Sequence, residues 1–117
     1  MERFVKGDIV VLPFPYSDLS SSKKRPAMVL ADLKGEDIFL CQITSQFAVK
    51  DNYAICLSDS DFIKGSLNKS SNIRPNRLFT AEKSIIIRNI GTVKSEVFEK
   101  VTNKLFDIIK PGKRQNN

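Results

Sequence analysis

A small, mainly β barrel with one C-terminal helix is the architecture that this sequence predicts, on three observations. Short runs rich in β-branched residues recur along the chain as far as Val93, separated by turn residues at close intervals. An apolar period of 3.6 residues occurs only once, near the C-terminus. Strands do not alternate with helical segments, which argues against a parallel βαβ sheet and for antiparallel strands in a compact barrel.

Gly7 and Asp8 lead into the first run, IVVLPF at 9–14. AMVLADL (27–33) and DIFLCQIT (37–44) follow, and Lys34-Gly35-Glu36 between them reads as the turn of a β-hairpin. YAICLS (53–58) is a fourth strand, while SNIRPNRLFT and SIIIRNIGTV suggest shorter strands interrupted at Pro75 and Gly91. From Ser95 the segment SEVFEKVTNKLFDII aligns Val97, Val101, Leu105 and Ile108 on one stripe, with Phe98 and Ile109 beside it. Ser95 suits the N-cap, Glu96 the first turn, and Pro111-Gly112 ends the helix. The chain therefore reads as a single domain over 1–112 with a flexible polar tail at 113–117. Runs such as IVVL and SIII are apolar at consecutive positions, so both sheet faces need cover, one part from the helix and another from a homodimer interface.

Composition narrows the chemistry. Nineteen Lys and Arg against 13 Asp and Glu give a net charge of +6, which suits a polyanionic partner. There is no histidine and no CxxC pair, so neither a metal site of ordinary type nor a histidine-based triad is expected, and no cofactor is called for. Cys41 and Cys56 both lie in apolar stretches and read as buried thiols of a cytoplasmic protein. No segment approaches a membrane span, no glycine-rich phosphate loop occurs, and SDSD at 58–61 reads as a helical turn or a solvated acidic stretch.

What remains is cationic and hydroxylic. SSSKKRP supplies Lys23, Lys24 and Arg25, ITSQ supplies Thr44, Ser45 and Gln46, and IRPNR supplies Arg74, Asn76 and Arg77. Guanidinium forks bind phosphate oxygens, and hydroxyls and amides bond sugar or base edges. Phe14, Pro15 and Tyr16 offer stacking surfaces, although aromatics at a strand end more often pack down on the barrel.

At these residues the sequence resembles the MazF/PemK-like family, toxin components of bacterial toxin–antitoxin pairs. KGDIVVLPFPYSD is similar to the family's opening strand and loop, KRPAMVL to its RP-plus-apolar strand, and CQITSQ to its ITxQ element. SLNKSSNIRPNRLFTAEKSIIIRNIG and the terminal helix match its second half in order. The resemblance implies an SH3-like β-barrel with a C-terminal helix, a homodimer, metal-independent cleavage of single-stranded RNA, and neutralisation by a cognate antitoxin. It further implies operator DNA contact only through the antitoxin complex, and no membrane partner. By motif, Arg25 matches the catalytic arginine and Thr44 the catalytic threonine; on their own chemistry Lys23, Lys24, Ser45, Gln46, Arg74, Asn76 and Arg77 read as RNA contacts.

Two departures bear on mechanism. The loop before the RP pair reads Leu19 to Lys24 and lacks a glutamate that some members carry, and Asn76 stands where some relatives have an aspartate. An amide cannot exchange protons as a carboxylate can. An arginine with a pKa above about 12 is a poor base, so charge stabilisation is its expected role. The alternative reading of the same residues is a non-catalytic SH3-like module that binds nucleic acid or a protein partner.

Overall fold

The computed structural model describes residues 3–15, 22–45 and 51–112. Seven strands and one α-helix form the domain: β1 (Asp8–Pro15), β2 (Ser22–Asp32), β3 (Asp37–Ser45), β4 (Ile55–Leu57), β5 (Phe62–Gly65), β6 (Ser71–Glu82), β7 (Arg88–Val93) and α1 (Ser95–Ile109). All neighbouring strands pair antiparallel, in the order β4-β6-β3-β2-β1-β7-β5. The architecture is thus mainly β with a C-terminal helix, as expected, in the form of a curled half-barrel. Register shifts at Ile9/Val10, Val29/Ala31, Cys41/Gln42 and Phe62/Lys64 mark the irregularities along the curl. Extra residues in one strand bend it and increase its local twist.

The consecutive apolar residues of the IVVL run are covered on both sheet faces within one chain, whereas Ile85 and Ile87 of the SIII run stay exposed. Ile9, Met28, Cys41, Ile43 and Ile73 join Val97 and Val101 of α1 in one core. Val10, Leu12, Ala27, Val29, Ile38 and Leu40 form a second core on other side chains of the same strands, beneath Phe4, Phe14, Phe79, Ala81 and Ile86. Leu78, Ile85 and Ile87, about 40% exposed, leave an apolar rim near this second core.

Several boundaries differ from those read in sequence. The strand expected to begin at Ala27 begins at Ser22, because β1 continues to pair with it as far as Pro15 opposite Ser22. SNIRPNRLFT and two further residues form one strand, β6, with Pro75, Asn76 and Arg77 bulged out of its ladder with β3. Lys83–Ile85 is a 3-10 turn, so SIIIRNIGTV becomes a strand only from Arg88. SDSD contains a short 3-10 helix at Asp59–Asp61 closed by the Ser58 N–H donating to Asp61 Oδ2 at 2.8 Å. The helix cap falls on Lys94, whose carbonyl accepts from the Val97 and Phe98 N–H groups, one residue before the expected Ser95. Along α1, Val97 and Val101 are buried and Leu105 half-buried, but Ile108 and Ile109 are exposed, so the stripe leaves the sheet in the last turn. Cys41 is buried as expected and burial pushes its thiol up to about 12, whereas Cys56 is exposed because the three-residue β4 alternates in, out, in. The tail at 113–117 lies outside the described residues.

Candidate active site

The site forms where two neighbouring strands part company. The β2–β3 ladder ends at Ala27 opposite Gln42. The next residue on β2 is Pro26, which has no N–H to offer a neighbour. Beyond that point β2 keeps its partner β1, with Arg25 opposite Leu12 and Lys24 opposite Pro13. In the same stretch β3 keeps its partner β6, with Thr44 opposite Asn72 and Ser45 opposite Ser71. The two strands diverge, and a cleft of about 270 Å³ opens between them. The RP pair that stands out in the sequence is thus the local cause of the opening as well as the source of its cation.

Lys23, Lys24, Arg25 and Pro26 line one wall of this cleft, and Ile43, Thr44 and Ser45 the other. Leu67, Lys69 and Ser71 complete it from the β5–β6 connection and the start of β6. Arg25 and Thr44 are half-buried, while Lys23, Lys24 and Ser45 are exposed. Four of the described lining residues are cationic and none of them is Asp or Glu, so the described walls present an electropositive field to an entering anion. Among the described residues, no group of three or more His, Cys, Asp and Glu is arranged to share a metal ion.

The structure brings together Lys23, Lys24, Arg25, Thr44 and Ser45, but not Arg74, Asn76 or Arg77. Arg74 is buried in β6, and its Nε donates to Asp51 Oδ2 at 2.8 Å. Asp51 also accepts from the Tyr53 N–H at 2.9 Å and from the side chain of Asn76. These bonds, led by that from the Tyr53 backbone, hold the Asp51 carboxyl below its ordinary value of 3.8. Arg74 and Asn76 therefore tie the β6 bulge to the segment entering β4. Arg77 lines a separate groove of about 580 Å³ with Leu12, Phe14, Gln42, Phe79 and Ile85. Phe14 packs edge-on against Phe79 with ring centroids 5.1 Å apart, the packed-down arrangement usual for such aromatics. Gln46 and Tyr16 lie outside the described residues.

Leu67, Lys69 and Ser71 were not singled out in the sequence. Lys69 stands in a serine- and asparagine-rich stretch, NKSSN, with no arginine or proline beside it, and only the path of the backbone takes it to Arg25.

The chain is thus a small curled antiparallel half-barrel with a terminal helix and a basic, hydroxyl-bearing cleft. Comparison with protein families is specific: residues 5–109 match the model of the PemK-like, MazF-like toxins of type II toxin–antitoxin systems. The chain belongs to this family. A search of curated protein sequences gives no significant match. Among solved structures, an endoribonuclease in complex with its cognate antitoxin from a mycobacterial species superposes with a TM-score of 0.72 at 13% identity, covering 95% of this chain and 100% of that one. A second mycobacterial endoribonuclease gives 0.67 at 14% identity, covering 92% and 91%. MazF in a MazE-MazF structure from Deinococcus radiodurans gives 0.69 at 20% identity, covering 89% and 94%. At these identities the likeness is one of fold.

Proposed function

We propose that this toxin-family protein is an endoribonuclease that cuts single-stranded RNA without a metal ion, through Arg25 and Thr44. The observation that carries this reading is their meeting, from β2 and β3, in one cleft walled by cations. In the reaction, the 2′-oxygen attacks its own phosphorus and the bond from phosphorus to the 5′-oxygen breaks. The proton leaves the 2′-hydroxyl and one is gained by the 5′-oxygen, giving a 2′,3′-cyclic phosphate and a 5′-hydroxyl. Charge grows on the phosphoryl oxygens during attack, and the fixed guanidinium fork of Arg25 stabilises it. The Thr44 hydroxyl orients the ribose-phosphate for in-line attack. Lys23, Lys24 and Ser45 hold the strand at the mouth of the cleft, and Arg77 extends the basic track along its groove. Arg74 and Asn76 support this surface through Asp51 instead of touching RNA.

The test is incubation of a single-stranded RNA oligonucleotide with the purified protein in EDTA. Cleavage to products bearing cyclic phosphate supports the reading, and intact RNA under conditions where the protein is folded defeats it. Intact but tightly bound RNA would favour the non-catalytic binding module instead.

Family membership and the mycobacterial complex support a cognate antitoxin as partner, through which the pair would contact operator DNA. We further propose a homodimer, with the exposed Leu78, Ile85 and Ile87 as the apolar surface available to a second copy. Light scattering should give twice the 13.2 kDa chain mass, and a monomer at high micromolar concentration would remove the proposal. No helix among the described residues is long and apolar enough to cross a membrane. Paired with RNA as substrate, this supports a cytoplasmic site of action.

A further inference from the structure

We propose that Lys69 is a substrate-binding residue of the same cleft, a contact to an RNA phosphate that acts on binding and not on the chemical step. The proposal rests on the nuclease reading of the cleft and adds to it a residue from a loop more than forty positions away from Arg25.

Lys69 lines the cleft from the β5–β6 connection, so the cleft's cations come from two separate segments of the chain. Its loop is tied down at both ends. Gly65 packs directly on Gly91 of β7, where a Cβ would come within 2.1 Å of the Ile90 carbonyl oxygen, and the Ser66 N–H donates to that same oxygen at 3.3 Å. Asn68 takes the left-handed conformation at φ 69°, which asparagine tolerates better than most residues. Its N–H donates to Ser66 Oγ at 3.1 Å, and the Ser66 hydroxyl donates in turn to Asn68 Oδ1 at 3.1 Å. On the far side, the buried Ser71 donates its hydroxyl to the Lys69 carbonyl at 3.2 Å. The backbone of Lys69 is thus fixed by its neighbours, while the residue is exposed and lines the cleft.

A lysine is a point charge on a flexible stem, suited to a phosphate oxygen without demanding a base identity. Such a contact forms equally in the bound substrate and in the transition state, so its loss raises KM and leaves kcat in place. It also releases about one counterion on binding, so its removal flattens the dependence of log affinity on log salt by about one.

The test compares wild type, Lys69→Ala, Lys69→Glu and a control, Lys100→Ala, which lies on the exposed surface of α1. Cleavage kinetics are measured on a single-stranded RNA oligonucleotide, and binding to a 2′-deoxy version of it by fluorescence anisotropy over a salt series. Lys69→Ala should raise KM about tenfold at unchanged kcat and flatten the salt slope by about one; Lys69→Glu should do more, and Lys100→Ala neither. Unchanged KM and slope in Lys69→Ala would overturn the proposal, and so would a fall in kcat at constant KM. Wild-type protein that binds but does not cut would sink the nuclease reading while the binding series still decides the role of Lys69.

Discussion

Replacing Asp51 by alanine should cost the protein more stability than the loss of a surface carboxylate explains. Asp51 and Arg74 meet at 2.8 Å with side chains only 6% and 10% exposed. The substitution removes the bonds that Asp51 accepts from Arg74, the Tyr53 N–H and Asn76, and leaves a guanidinium buried without its counter-charge. Breaking a buried pair from one side costs about 3–5 kcal/mol. Arg74→Met is milder, about 1.5–3 kcal/mol, because Asp51 keeps its other two donors. Urea unfolding of both single variants and the double variant yields the coupling, read as midpoint shifts at constant slope. The double variant should be less destabilised than the sum by about 1 kcal/mol or more. Additivity to within about 0.5 kcal/mol would mean that the pair does not hold the bulge, and would refute the structural role assigned to Arg74. The pair also titrates with a definite sign. Because the folded-state pKa of Asp51 lies below 3.8, its contribution is full above that pH and is lost as pH falls through the folded-state value. The stability gap between wild type and Asp51→Asn should therefore shrink in acid.

Gly65→Ala should destabilise by about 1–3 kcal/mol or more, since it combines a positive φ of 79° with a Cβ 2.1 Å from the Ile90 carbonyl; a melting curve like that of wild type would contradict the close approach of β5 and β7. Brief alkylation of native protein should modify Cys56 and spare Cys41, whose thiol is buried and pushed up to about 12, with both reacting in denaturant; equal native labelling would place Cys41 on the surface.

The sequence pattern was most legible where one residue type has one physical use. Val97 and Val101 could only be the inner stripe of a helix, and DIFLCQIT after a Gly-centred turn could only be the return strand of a hairpin. Arg25 and Thr44 were singled out through the RP and ITSQ motifs of the family resemblance, and the structure places both on one cleft. Three features were hidden for separate reasons. FIKG is too short and too polar for a periodic signal, and β5 exists through its pairing with β7. Arg74 looks like a surface cation beside a proline until the fold brings Asp51, 23 residues away, against it. The cover of the IVVL run was hidden because no local pattern reveals that Phe4, Phe79 and Ile86 return to pack on its core.

The most direct test of the central claim is the single-turnover cleavage rate of Arg25→Ala in EDTA, with circular dichroism showing the variant folded. Arg25 is half-buried and lines, with Thr44, a cleft of about 270 Å³, and on the proposed reading its loss removes a donor at the position where phosphate charge develops. Removal of one such donor costs about 2.7–4 kcal/mol, or about 10²–10³ in rate. The account predicts a fall of that size, with Arg25→Lys recovering little because an ammonium cannot reproduce the planar fork. Undiminished cleavage by folded Arg25→Ala protein would contradict it, and would return this arginine to the role of a charge at the edge of a strand.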